Sequence, residues 1–167
     1  METDENNYAF IDSQNLNLGM HELGWKLDYE KFRVYLKEKY HTKKAYVFVG
    51  FIEANQGLYN RLTETGFELK FKPTVMDGNG KIKGNIDADM VLSVMVDWDN
   101  YNKAIIISSD GDFYSLVEYL YKNDKLKTVL TTNQEKCSKL LKEKAQEKIN
   151  FIADLQEKLA YKKKSTA

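Results

Sequence analysis

The sequence has very little of several residues that specialised proteins depend on. Its 167 residues include one cysteine, one proline and two histidines, and 25 basic residues balance 25 acidic ones. A lone Cys137 forms no internal disulfide and builds no zinc site, which favours a reducing compartment, the cytoplasm. The polar start lacks the features of a signal peptide, and no apolar run approaches the roughly 20 residues that cross a bilayer, so we expect no membrane association. A net charge of zero argues against nucleic-acid binding through bulk electrostatics alone.

The chain does have abundant apolar residues. Hydrophobic residues make up 43% of it and aromatic residues 13%, which excludes a disordered or low-complexity protein. At about 150 residues per domain, residues 1–167 are expected to form a single domain. We place its core at about residues 8–132, followed by a Lys/Glu-rich helical extension at about residues 134–162.

Short β-branched and aromatic runs alternate with amphipathic helical patterns along the chain. Asp28 and Asn55 are predicted to begin two helices, and residues 112–122 carry apolar side chains at helical spacing. Strands that alternate with helices predict an α/β fold with three layers, α/β/α, around a central, mostly parallel sheet of about five strands. The predicted strands are Tyr8–Asp12, Ala45–Phe51, Phe67–Phe71, Ala104–Ile107 and Leu126–Leu130.

Residues 72–85 interrupt this alternation with the only proline and the turn sequence Asp77-Gly78-Asn79-Gly80. This turn signal predicts a projecting hairpin. Basic residues surround it, and the alternation of an extended segment places them on one face. We interpret them as a candidate track for nucleic-acid phosphates; they are Lys70, Lys72, Lys81 and Lys83.

The aspartates fall where predicted strands end or an apolar helix begins. Asp12 ends the first strand, Asp110 and Asp112 follow the strand Ala104–Ile107, and Asp87 opens a helix. Ligands of open α/β sheets bind beyond the carboxyl ends of the strands. Carboxylates gathered there repel one another unless a hard cation holds them, and such a cation suits phosphoryl chemistry.

Simpler roles exist for each aspartate. Asp112 and Asp87 can cap helices, and Asp12 can be a solvated loop residue. Three separate segments that converge on one sheet edge nevertheless favour a metal site. Asp87 and Asp89 point about 200° apart if both are helical, so only one of them is expected to face that site.

Three motifs resemble those of a known family. Residues 10–16, Phe-Ile-Asp-Ser-Gln-Asn-Leu, resemble the opening motif of the NYN domain family, a branch of the PIN-like nucleases that includes the LabA-like proteins. Residues 83–89 resemble the family's second motif, a Lys-Gly turn before an acidic helix start. Residues 105–113 resemble its Ser-x-Asp-x-Asp-Phe segment. The resemblance implies a PIN-like fold and metal-dependent cleavage of phosphodiesters, usually in RNA.

The resemblance also implies roles for individual residues. Asn15 would orient Asp12 or a water, Ser109 would hydrogen-bond a carboxylate or phosphate, and Lys83 would meet substrate phosphate. The implied cofactor is Mg²⁺ or Mn²⁺, the implied partner is single-stranded or structured RNA, and the chain is expected to be a monomer or homodimer. The implied catalytic and metal-binding carboxylates are Asp12, Asp87, Asp110 and Asp112.

Two other functions compete with the nuclease. A phosphatase with a nucleophilic aspartate usually carries its Asp-x-Asp motif after an early strand, whereas only 55 residues follow Asp112 here. A non-catalytic RNA-binding or protein-interaction module would also keep the fold, but the complete set of aspartates favours catalysis. We expect structural roles for residues that have no catalytic-triad context, namely His21, His41, Ser108 and Cys137.

Overall fold

A six-stranded sheet lies at the centre of the protein. The computed structural model describes residues 4–50, 53–72, 75–76, 78, 82–83 and 86–163, with the backbone alone at 75–76 and 82–83. The strands of the sheet are β1 (Asn7–Asp12), β2 (Thr42–Gly50), β3 (Glu68–Lys72), β6 (Ala104–Ile107), β7 (Leu126–Thr131) and β8 (Ile149–Phe151). Their order is β3-β2-β1-β6-β7-β8, and every neighbouring pair is parallel.

The predicted hairpin contains a second, smaller pairing. Strands β4 (Val75–Met76) and β5 (Ile82–Lys83) pair antiparallel, as the turn signal predicts. Several residues of the turn, Asp77, Asn79 and Gly80, lie outside the described residues, as does Phe51 at the predicted end of β2.

Within the described residues, six α-helices lie between strands and a seventh follows the last strand. Asp28 accepts a hydrogen bond from the Lys31 backbone N–H at 3.1 Å and so caps α2 as predicted, whereas Asn55 precedes α3 without a capping bond. Among the described residues, no helix is both long enough and apolar enough to cross a membrane. The helices are α1 (Ser13–Leu23), α2 (Tyr29–Tyr40), α3 (Gln56–Glu64), α4 (Asp87–Val96), α5 (Tyr114–Lys122), α6 (Lys139–Ala145) and α7 (Gln156–Leu159).

Alternation along the strands creates two apolar cores, one on each side of the sheet. Phe10 and Ile106 belong to the core covered by α4, α5 and α6. Ile11 and Ile105 belong to the core covered by α1, α2, α3 and α7. Successive side chains of a strand point to opposite faces, so strands buried on both faces read as continuous apolar runs. This arrangement confirms the three-layer α/β/α fold.

The prediction for the C-terminal segment was wrong in one respect. The helical extension expected at about residues 134–162 is not helical throughout: residues 149–151 form β8, which pairs with β7 and raises the strand count from about five to six. β8 is three residues long, partly exposed and at the edge of the sheet. A strand this short carries no measurable alternation, so only its pairing with β7 determines its conformation.

A close contact fixes α1 against the end of β7. A Cβ atom added at Gly19 would lie 2.2 Å from Thr132 Oγ1, and both residues are buried. We therefore expect Gly19→Ala to lower the free energy of unfolding by about 1–3 kcal/mol, because the well-packed contact must open. Urea unfolding measures this change.

Gly57 provides the matched control for this prediction. It lies in α3, and an added Cβ would meet nothing within 4 Å. Gly57→Ala should stabilise the protein by about 0.5–1 kcal/mol through helix propensity. Equal effects of the two substitutions would contradict the close packing of α1.

Candidate metal centre

Asp12 occupies the carboxyl end of β1 and caps α1. Its side chain is 4% exposed. Oδ1 accepts a hydrogen bond from the Asn15 backbone N–H at 3.2 Å, and Oδ2 accepts one from the Ser108 hydroxyl at 3.2 Å. Burial raises the pKa of Asp12, while these two hydrogen bonds oppose the rise. The carboxylate is therefore held in one orientation at the sheet edge.

Ser108 joins Asp12 to the loop that carries Asp110. Its side chain is buried, and its Oγ accepts the Asp110 backbone N–H at 3.1 Å while its hydroxyl donates to Asp12. β1 and β6 pair with Ile11 opposite Ile107, so the next residue of each strand, Asp12 and Ser108, lies at the same level. The sequence analysis predicted only a structural role for Ser108. The parallel alignment of the two strand ends creates this contact.

Asp87 completes a group of three carboxylates. It begins α4, and one oxygen from each of Asp12, Asp87 and Asp110 lies within 4.8 Å of the other two. Burial is the largest cause that raises the pKa of Asp87 to about 6, followed by the charges of Asp110, Asp12 and Asp112. Like charges this close destabilise the ionised state, which a bound cation would relieve.

The chemistry of these three donors fits a hard divalent cation. Carboxylate oxygens without histidine or cysteine ligands suit Mg²⁺ or Mn²⁺. Because their oxygens already lie within 4.8 Å of one another, the three carboxylates would need only a small shift to hold a bound ion. Asp87 and Asp110 are half-buried and can supply that shift, while Asp12 is fixed by its hydrogen bonds.

Two further acidic residues lie near this group without joining it. Asp112 is exposed in the short 3₁₀ helix Gly111–Phe113, and its backbone N–H donates to Asp110 Oδ1 at 2.9 Å. Its charge contributes to the raised pKa of Asp87. Asp89 pairs instead with Lys72 at 3.6 Å. The structure therefore brings together three of the four predicted carboxylates, with the fourth beside them.

Of the predicted substrate-binding residues, the structure describes the side chains of Asn15 and Ser109 but only the backbone of Lys83. Asn15 Oδ1 accepts hydrogen bonds from the Ser109 backbone N–H at 2.8 Å and from its hydroxyl at 2.9 Å. Ser109 thus holds Asn15, and its contact with a carboxylate or phosphate stays a prediction. The backbone of Lys83 lies in β5, and its side chain is outside the described residues.

The predicted basic track is only partly described. Lys81 lies outside the described residues, and Lys72 pairs with Asp89. The Lys70 ammonium lies 5.0 Å from the centre of the Tyr46 ring. The track therefore stays a prediction.

Two other polar candidates, His41 and Cys137, lie outside this site. His41 ends α2 and lies 4.0 Å from a Glu5 carboxylate oxygen, and Cys137 is buried in the core beneath α5 and α6.

Gly111, between Asp110 and Asp112, has no room for a side chain, because an added Cβ would lie 2.5 Å from Ser138 Oγ. Ser138, which caps α6, therefore packs against the acidic loop.

Ser108→Ala provides a direct test of the link between the two carboxylates. Losing the hydroxyl removes a hydrogen bond from buried Asp12 and one from the Asp110 backbone, which should cost about 1–3 kcal/mol of stability. Ser109→Ala should cost less, because Ser109 is only half-buried and does not contact Asp12. Thermal melting of both variants in EDTA measures the difference, and a larger loss for Ser109→Ala would contradict it.

Comparisons with known proteins bear on the fold and the family. A crystal structure of a protein of unknown function from Vibrio parahaemolyticus is similar to this chain, with a TM-score of 0.74 and 24% sequence identity over 87% of this chain and 93% of the other. This likeness shows the fold. Among curated proteins, none matches the chain.

The family match covers all three segments that supply the carboxylates. Residues 8–153 match the NYN domain, a stretch that runs from β1 through β8. The NYN domain belongs to a nuclease-like superfamily with a PIN-like fold. The match covers most of the chain and includes the whole acidic site, so the chain belongs to the NYN domain family.

Proposed function

We propose that this protein is a metal-dependent endoribonuclease that hydrolyses RNA phosphodiester bonds. The observation that supports this proposal most is the group formed by Asp12, Asp87 and Asp110, whose mutual repulsion calls for a cation. Asp112 is proposed as the fourth carboxylate of the site. When bound there, Mg²⁺ or Mn²⁺ would lower the pKa of a water and neutralise charge on phosphate oxygens.

The residues around the group have complementary roles in this proposal. Asp12 is the fixed ligand, since two hydrogen bonds orient it, while Asp87 and Asp110 adjust. Asn15 is proposed to bind phosphate: its carbonyl is held by Ser109, and within the described residues its amide nitrogen makes no hydrogen bond, which leaves a donor for a phosphate oxygen. Lys83 is proposed to contact a further phosphate.

The proposed reaction needs no protein nucleophile. Water attacks phosphorus in line, the new P–O bond forms as the P–O3′ bond breaks, and the products carry a 5′-phosphate and a 3′-hydroxyl. A carboxylate of the site accepts the proton of the water, and the departing 3′ oxygen takes a proton from solvent. Asp112, which is exposed, is proposed as the carboxylate that accepts the proton of the water.

The setting of the enzyme is part of the same proposal. We propose the cytoplasm as its location, supported by a buried Cys137 that forms no disulfide. Residues 1–167 are proposed to act as one domain, as a monomer or a homodimer.

Cleavage of labelled single-stranded RNA and DNA tests the proposed function. The unmodified protein is incubated with Mn²⁺, with Mg²⁺ or with EDTA, and the product ends are identified. We expect RNA to be cut to 5′-phosphate products with either ion and to remain intact in EDTA. Cleavage of DNA alone would overturn the substrate assignment. RNA binding without cleavage under every condition would establish a non-catalytic binding module instead.

A further inference from the structure

A wide groove lies on the side of the sheet covered by α1, α2 and α3, and no role assigned above uses it. Its volume is about 1000 Å³. The second half of α1, the start of α2, one side of α3 and the segment after α7 enclose it. The aromatic residues that line it are Trp25, Tyr29 and Tyr161.

Backbone contacts hold the walls of this groove. The Asp28 N–H donates to the Leu159 carbonyl at 2.8 Å, and the Tyr161 N–H donates to the Lys26 carbonyl at 2.8 Å. Between these two bonds, Leu27 pairs with Ala160 in an antiparallel bridge. Tyr161 therefore belongs to a structured wall.

Contacts orient the aromatic rings of the groove, which remain at least partly exposed to solvent. The Tyr29 hydroxyl donates to Asn17 Oδ1 at 3.1 Å, and Trp25 packs its partly buried ring against the core. Tyr161 is 55% exposed. An unpaired nucleobase presents a flat π-face that stacks on such rings whatever its identity.

The charges that line the groove cancel. The cations Lys26, Arg61 and Lys162 face the same number of anions, and the Asp28 carboxylate also caps α2. A groove without net charge gains little from phosphates, so stacking is the interaction that its surface favours. The remaining anions are Glu30 and Glu64.

Helix α1 links the groove to the metal centre. Asp12 caps the first turn of this helix, and Asn17 and Gly24 line the groove from its second turn to its end. At 1.5 Å of rise per residue, the groove extends from about 8 Å to about 18 Å beyond Asp12 along the helix axis. These distances are short enough for neighbouring bases of a single strand to reach the groove when one of its phosphates lies at the carboxylates.

We propose that this groove is a stacking site for unpaired nucleobases of the RNA strand that occupies the metal centre, with Trp25 and Tyr161 as its contact surfaces. The proposal rests on the proposed ribonuclease function, because it names the part of the substrate that the enzyme holds beside the scissile bond. It predicts binding through bases, and hence a preference for single-stranded over duplex RNA.

Tryptophan fluorescence tests this site without the need for cleavage. The protein has two tryptophans, so Trp98→Phe leaves Trp25 as the sole reporter. An unstructured oligoadenylate of about 12 nucleotides is titrated in EDTA. We expect quenching of Trp25 emission, and Tyr161→Ala in this background should raise the Kd about tenfold without changing its salt dependence. Tyr161→Phe should retain wild-type affinity, because it keeps the stacking ring.

Tyr119→Ala is the matched control, since Tyr119 is a similarly exposed aromatic residue on α5, across the sheet. It should leave the Kd unchanged. Absence of quenching, or equal affinity of Tyr161→Ala and the parent protein, would overturn the groove proposal even if the protein cuts RNA. Quenching that depends on Tyr161 in a protein that never cleaves RNA would support the groove and overturn the nuclease instead.

Discussion

Asp110→Asn is expected to reduce RNA cleavage by about 10²- to 10⁴-fold in kcat/KM. The amide keeps the size of the carboxylate and can still accept the Asp112 N–H, which Asp110 Oδ1 now binds at 2.9 Å. It lacks the negative charge that a hard cation requires. Cleavage assays of both proteins with saturating Mn²⁺ measure the effect.

The same substitution should stabilise the protein in the absence of metal. The charge of Asp110 contributes to the raised pKa of Asp87 and also acts on Asp12. Removing this repulsion should raise the melting temperature in EDTA by about 2–4 °C, which corresponds to about 1 kcal/mol in a chain of this size. Opposite changes in activity and stability distinguish a lost ligand from a damaged fold.

Asp89→Asn is the matched control for this experiment. Asp89 lies two residues from Asp87 on α4, but its exposed carboxylate pairs with Lys72 rather than with the metal group. Exposed ion pairs contribute little, so cleavage should stay within about threefold of wild type. A protein with Asp110→Asn that cuts RNA at the wild-type rate, in an EDTA-sensitive manner, would remove Asp110 from the site.

Divalent metal should raise the melting temperature strongly at neutral pH and weakly in acid. Saturation at about 100 times the Kd adds about 2.7 kcal/mol, or about 5–10 °C here. Asp87 has a pKa of about 6 instead of the ordinary 3.8, so below pH 6 the ion must displace a proton from it. We expect the metal-induced shift to be large at about pH 7.5 and to shrink markedly at about pH 5.

The stability of the metal-free protein should fall as the pH rises, whereas the metal-induced shift grows. Because folding raises the pKa of Asp87, the folded state binds this proton more tightly than the unfolded state does. The stabilisation from Asp87 is full below about pH 3.8 and is lost as the pH rises through about 6. Asp87→Asn should flatten this part of the profile in EDTA. A metal-induced shift as large at pH 5 as at pH 7.5 would contradict the role of Asp87.

Local patterns were sufficient to predict five of the six strands and the position of the acidic edge. Apolar runs such as Ala104–Ile107 are buried on both faces in any parallel sheet, so they can be recognised from the local sequence alone. Asp12 and Asp110 follow directly after such runs. Parallel strands end at one edge, which places both residues there, and the pairing of β1 with β6 brings them together.

Tertiary contacts decided the rest. Periodicity showed that only one of Asp87 and Asp89 could face the site, but the packing of α4 on the sheet selected Asp87. Ser108 has the same local sequence context as Ser109, and only the alignment of β1 with β6 brings its hydroxyl to Asp12. The three residues of β8 became a strand because β7 offered an unpaired edge. The sequence by itself determined the layers and the acidic edge, since both follow from local periodicity, whereas contacts between distant segments depend on packing that no local pattern encodes.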